Sequence, residues 1–257
     1  MTISVERTDL DAIRPMREVY RSEMRCQIIH DSIHRRPGLT QEYVVRRGSA
    51  VAGYGSVAIA GPWADKPTVY EFFVAPEHRS HVFDLFRAFS DASAAPAISI
   101  QSNDPLGTAM LHTFAHDVTS EAILFHDAVT TTHVLPPDAT IRNATAAEAP
   151  DTVPQDLRWR VVVEVEGAVA ATGGVLFHYN PPYGDIYMDV EERFRRRGLG
   201  TFVVQELKRR CYERGHIPGA RCNPGNVPSR QTLQRAGFVP CGFILNGLLR
   251  QLVPDEP

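Results

Sequence analysis

Arg195-Arg196-Arg197-Gly198-Leu199-Gly200-Thr201 is the stretch whose reading decides the fold. It follows a predicted strand, Asp185 to Val190, and opens a predicted helix that runs to about Arg214. Two glycines let a backbone turn tightly and approach a ligand closely. The first amides of a helix have no partner inside it, and the positive end of the helix dipole points the same way. A turn of this kind cradles a diphosphate, with the three arginines beside it as counter-charge. The stretch implies a phosphorylated cofactor.

Composition bounds the rest. With 257 residues, 43% hydrophobic and 22% charged, the chain has material for one large domain or two ordinary ones. A formal net charge of −3 argues against a nucleic-acid coat, which needs a strong basic excess. The cysteines Cys26, Cys211, Cys222 and Cys241 form no C-x-x-C pair, so they read as reduced, packed thiols rather than disulfides or a zinc site. The polar start is no secretory signal, and no apolar run approaches the ~20 residues that cross a bilayer. The expectation is a cytoplasmic protein without membrane partners.

Outward from the arginine turn, the chain reads as strands and helices in a doubled order. Leu10 to about His30 has helical spacing, with Thr8 or Asp9 as its cap. Strands follow at Tyr43–Val45, Ala50–Ala60 and Thr68–Val74, then a helix at His81–Ser90, a strand at Ile98–Ile100, a helix at Pro105–His116 and a strand at Ala122–Phe125. Thr130 to Asp138, with two prolines and three threonines, is the best linker. Beyond it come strands at Thr140–Arg142, Trp159–Val165, Ala168–Tyr179 and Asp185–Val190. The helix after Gly198 buries Leu199, Phe202, Val203, Leu207 and Cys211. A strand at Ala220–Cys222, a helix at Asn226–Ala236 and a last strand from Phe238 complete the chain. Gly48-Ser-Ala-Val-Ala-Gly-Tyr-Gly55 aligns with Gly167-Ala-Val-Ala-Ala-Thr-Gly-Gly174, and Asn103-x-Pro105 with Asn226-x-Pro228. A period this long implies tandem domains, 1–133 and 134–257.

The second half resembles the GNAT acetyltransferase superfamily. The signature is Arg195-x-x-Gly198-x-Gly200, followed by Asn226-x-x-Ser229 and by Arg235-Ala-Gly237-Phe238. The resemblance covers about Thr140 to Leu249 and implies an α/β (α+β) fold of two tandem GNAT-like domains, each a mixed, mostly antiparallel sheet flanked by helices. It implies acetyl-CoA as co-substrate, direct transfer to an amine without an acyl-enzyme, and no metal. The cofactor contacts it implies are Met188, Asp189 and Val190, the turn Arg195, Arg196, Arg197, Gly198, Leu199, Gly200 and Thr201, and Asn226 and Ser229. Leu233 stands where many members carry a tyrosine that reprotonates the leaving thiolate. The helices that wall the acceptor have shrunk to Ala144–Gln155. The first half resembles a degenerate copy: its turn, Ala75-Pro-Glu-His-Arg-Ser-His81, has no glycine to admit a diphosphate, so it is expected not to bind the cofactor.

The catalytic candidates are Asp185, to take the amine proton, and Tyr187, to give one. Asp185 reads first as a turn residue after Gly184, and Glu191 and Asp189 compete for the role of base. Tyr183, His30 and Asp31 are the substrate-side candidates; the last two also suit helix-end capping. His112-x-x-x-His116 has zinc spacing on a helix but lacks a third ligand. Walker and Rossmann glycine patterns are absent. The functional readings are N-acetyl transfer to a small-molecule or peptide amine, a non-catalytic acyl-CoA sensor or interaction module, and O-acetyl transfer.

Overall fold

The computed structural model describes residues 1–24, 33–34, 36–145, 148, 158–177 and 181–250. The chain forms two compact units: Met1–Glu121 together with the chain from Phe243 onward, and Ala122–Gly242.

In the first unit, β1 (Ile3–Thr8), β2 (Thr40–Arg47), β3 (Ala50–Ala58) and β4 (Thr68–Val74) form an antiparallel run, with α1 (Leu10–Met24) between β1 and β2. Asp9 caps α1, its Oδ1 accepting the Ala12 amide at 2.9 Å. The chain then crosses over through α2 (Val82–Ser93) to β5 (Ala97–Gln101), which pairs parallel to β4 only at Thr68↔Ala97 and Val69↔Ile98. Next come α3 (Pro105–Phe114) and β6 (Ala115–Asp127). Asp104 caps α3 through the Gly107 amide at 2.9 Å. Because α3 stops at Phe114, His116 lies in β6 and the two histidines do not share a helix. Aromatic rings fill the core: Phe72 meets Phe86 at 4.9 Å and Phe89 at 5.6 Å between centroids. A Cβ on Gly55 would lie 2.3 Å from the Phe89 ring, so only glycine leaves room for that ring.

A second cluster in this unit is ionic and buried. Arg17 of α1 donates twice to Glu71 of β4, at 2.8 Å each, and Tyr54 donates to the same carboxylate at 2.9 Å. His34 lies 3.1 Å from Glu71 and 3.0 Å from Glu42, and Ser56 donates to Glu42. Burial by itself would lower the His34 pKa; the Glu71 charge and hydrogen bonds to Glu42 and Glu71 outweigh it and lift the group to about 9. Two cations thus face two carboxylates inside the unit, which satisfies charges that would otherwise be costly to bury.

In the second unit, β7 (Ala139–Asn143), β8 (Arg158–Val165), β9 (Ala168–Leu176) and β10 (Tyr183–Val190) run antiparallel. Glu166 and Gly167 both have positive φ, the conformation of a two-residue hairpin whose twist matches its strands. The crossover helix α4 (Leu199–Glu213) leads to β11 (Ile217–Cys222), parallel to β10. The helix α5 (Val227–Arg235) and the strand β12 (Phe238–Leu249) follow. Val161, Val163, Val175, Ile186, Val203 and Leu207 form the centre of the core. A Cβ on Gly173 would come within 2.4 Å of Val203, so this glycine sets how closely α4 lies on β9.

The last strand of each unit comes from elsewhere in the chain. Residues 123–126 of β6 pair with β11, while residues 244–248 of β12 pair with β5. The units therefore divide inside β6 and β12, not at 133/134. The threonine- and proline-rich stretch is a strap on α4 within the second unit. Lys208 donates to the carbonyls of Val129 (2.8 Å) and Ala236 (2.6 Å) and pairs with Asp127 at 2.6 Å. Gln205 exchanges hydrogen bonds with the His133 backbone. The strap corrects the expected helix stripe: Val204 and Lys208 are buried and Phe202 is only half-buried. Among the described residues, no helix is long and apolar enough to cross a membrane.

Candidate active site

The site of the second unit begins where two strands part. The parallel ladder between β10 and β11 ends at Ile186↔Ala220, whereas β10 stays paired to β9 as far as Val190↔Ala171. The open end of β10 leads into the arginine turn. Arg196 (φ 64°) and Gly198 (φ 82°) both take the left-handed conformation, and successive amides in such turns form an anion-binding concavity. Gly198 is the N-cap of α4 and supplies no side-chain cap, so the first-turn amides are left for a ligand. The first intrahelical bond of the turn is Phe202 N–H to Gly198 C=O at 3.0 Å. Gly200 is buried; a Cβ there would sit 3.2 Å from Val190 and 3.3 Å from Thr232, tighter than ordinary contact.

A cavity of about 790 Å³ lies over this turn. It is lined by Met188, Asp189, Val190, Arg195, Arg196, Gly198, Leu199, Gly200, Thr201, Asn226 and Ser229, all singled out from sequence. Asn226 also caps α5, accepting the Ser229 amide at 3.1 Å. Arg197 is not a lining residue: it turns away and pairs with Asp138 of the strap at 2.6 Å, which lowers the Asp138 pKa. Three polar lining residues were not expected as cofactor contacts: Gln231, Thr232 and Arg235. With Pro228 they recur at helical spacing along α5. A polar face turned to a cavity has the same pattern as one turned to solvent, so periodicity alone does not reveal it. Neither Arg196 nor Arg235 has a side-chain hydrogen bond or ion pair to any described residue, so two guanidinium groups are available to the cavity.

Arg195 has a different task. Its Nε donates to the Val190 carbonyl, five residues back, at 3.1 Å. In the first unit, Arg79 Nε donates to the Val74 carbonyl, again five residues back, at 3.0 Å. The same latch ties strand end to turn in both units, although the first lacks the glycines. Its first role is therefore to shape the turn.

The remaining predicted residues fall apart from the cavity. Side chains alternate along β10. Gly184, Ile186, Met188 and Val190 face α4, while Tyr183, Asp185, Tyr187 and Asp189 take the other face. Asp185 is 5% exposed and pairs with Arg221 of β11 at 3.2 Å. Tyr187 lies over Gly174 and is 37% exposed. Tyr183, at the strand's start, is half-buried. His30 and Asp31 lie outside the described residues, as does most of Ala144–Gln155. Leu233 is buried in the core. Burial pushes the Cys211 thiol up to about 12 and raises those of Cys222 and Cys241, so none is a thiolate nucleophile near neutral pH.

Residues 169–241 match the family model described as FR47-like protein. An acetyltransferase of the GNAT family from Colwellia psychrerythraea superposes with a TM-score of 0.72 at 13% identity, over 96% of this chain and 100% of that one. The fold is that of the GNAT superfamily. A tandem GNAT protein from the clavulanic acid biosynthesis pathway is similar at TM-score 0.63 and 13% identity, over 96% and 98% of the two chains. A GCN5-related N-acetyltransferase from Sphaerobacter thermophilus reaches 0.56 at 14% identity, over 82% of each. No curated protein matches the chain. The GNAT likeness covers the whole chain, and the two units share one strand order.

Proposed function

We propose that the second unit binds acetyl-CoA and transfers its acetyl group to the amine of a small molecule or peptide, by direct attack, in the cytoplasm. The carrying observation is the uncapped start of α4: free amides behind a left-handed Gly198, with Arg196 and Arg235 beside them. That donor set suits a diphosphate, because it combines N–H groups, helix dipole and two cations without a partner among the described residues. Acetyl-CoA, when bound, supplies an activated acyl group. The chain's residues do the rest. Gly198 to Thr201 hold the phosphates, with Asn226 and Ser229 lining the same cavity. The end of β10, parted from β11, offers main-chain groups to the pantetheine arm and, at Val190, to the thioester oxygen. The face of β10 turned from α4 is assigned to the acceptor. There Asp185, fixed by Arg221, is the candidate to receive the amine proton, and Tyr187 the candidate to donate one.

A second reading, a non-catalytic acyl-CoA sensor, is favoured by one observation: Leu233 fills the core where a proton-donating tyrosine would stand. Thiol release from acetyl-CoA across a broad amine panel separates the two. Turnover with any amine supports transfer. Background rates on every amine, with CoA still binding, leave only the sensor.

A further inference from the structure

We propose that the first unit carries a binding site for a small zwitterion, a free amino acid or short peptide, with its body on Trp63, its ammonium on Glu121 and its carboxylate on Lys66. These residues line a cavity of about 430 Å³, a size suited to a small molecule. The wall is aromatic: Trp63 and Tyr70 meet edge to face, centroids 5.2 Å apart at 86°. The loop that presents them is tied down. Lys66 N–H donates to the Trp63 carbonyl at 3.1 Å, and the Thr68 hydroxyl donates to the Lys66 carbonyl at 2.8 Å.

The polar groups make the choice of ligand. The Lys66 ammonium has no ion pair with any described residue and is exposed at the rim. Glu121 is exposed and accepts from Asn246 Nδ2 at 2.9 Å, which fixes its carboxylate at the cavity. Its negative charge also helps burial raise the Tyr70 pKa, so the phenol stays neutral. Ser99 is 5% exposed, faces the cavity and has no hydrogen bond to a described residue. Its hydroxyl offers one more hydrogen bond to a polar ligand atom. Charges of both signs line one cavity: Lys66 faces Glu121 and a second carboxylate, Asp117, which is 3.0 Å from His116. A plain anion meets Glu121, and a plain cation meets Lys66; a zwitterion satisfies both, and its ammonium gains from the aromatic wall.

The site is independent of the acyltransferase reading, and its test uses no CoA. The full-length chain is titrated by calorimetry with free aromatic, aliphatic and basic amino acids, and with their N-acetyl and carboxamide forms. At least one free amino acid is expected to bind below 1 mM, roughly the weak end of specific recognition. Its N-acetyl and carboxamide forms are expected to bind about tenfold or more weakly, and Glu121→Gln and Lys66→Met to cost about as much, a loss near 1.4 kcal/mol. Both positions are exposed, so the variants are expected to melt with the parent. Binding by no amino acid overturns the proposal. So does binding that ignores both substitutions, or that treats the blocked forms as equals.

Discussion

Replacing Gly198 with Asp separates cofactor binding from folding. A Cβ at Gly198 meets nothing within 4 Å, so the added side chain has space. Its φ of 82° costs an L-residue about 1–2 kcal/mol, less for Asp, which tolerates this region better than most. A carboxylate at a helix N-terminus returns about 0.3–1 kcal/mol. The net change in stability is within about 1 kcal/mol, or about 4 °C in a protein of this size. Binding is another matter. A carboxylate roughly 5 Å from a doubly charged diphosphate is repelled by about 1.7 kcal/mol even at the dielectric of water, and severalfold more at a partly buried site. The expected loss of CoA affinity is therefore at least about 15-fold. Calorimetric titration with CoA in moderate salt, alongside a thermal melt, reads both quantities. Affinity within twofold of the parent, with an unchanged melt, would refute the placement of the diphosphate. A collapse of the melt would show instead that the turn is needed for folding, contrary to the bookkeeping above.

Other consequences follow from the buried charges. Glu71→Gln leaves Arg17 and His34 without their shared carboxylate, and unfolding in urea is expected to show about 3–5 kcal/mol of lost stability. His34 is raised to about 9 from an unfolded value near 6.5, so the folded chain holds the proton more tightly. Its stabilisation is complete below about pH 6.5 and disappears as pH rises through 9, a fall on the order of 3 kcal/mol. Urea midpoints measured from pH 6 to 10 should decline over that window and flatten in His34→Gln; a rise with pH contradicts the assignment. Lys208→Met removes both the Asp127 ion pair and the bond to the Val129 carbonyl, along with the one to Ala236, so amide hydrogen exchange in 127–138 should accelerate. Protection unchanged there would mean the strap is held by something else.

The strand–turn–helix around Gly198 was legible because its requirements are local: glycine suits the left-handed φ best, and only an uncapped helix start leaves amides to a ligand. The Asn226 cap was legible for the same reason. What stayed hidden depends on distant partners. Nothing near Thr130–Asp138 announces that Lys208 and Gln205 will pin it, so proline and threonine chemistry read as a linker. Arg197 looks identical to its neighbours until Asp138 claims it. Arg195 looks like a phosphate ligand until Arg79 shows the same bond in a unit without the glycines. Gln231 and Arg235 were missed because polar residues facing a cavity and polar residues facing water share a pattern. The exchange of β6 and β12 is equally invisible, since strand propensity does not specify which edge a strand will join.

A structure of the protein with CoA bound tests the central claim most directly. The account predicts the diphosphate on the amides of Gly198 to Thr201, with the Arg196 and Arg235 guanidinium groups turned toward it. A diphosphate seated at the start of α2, beside His81, or a cavity over Gly198 that stays empty at saturating CoA, contradicts it.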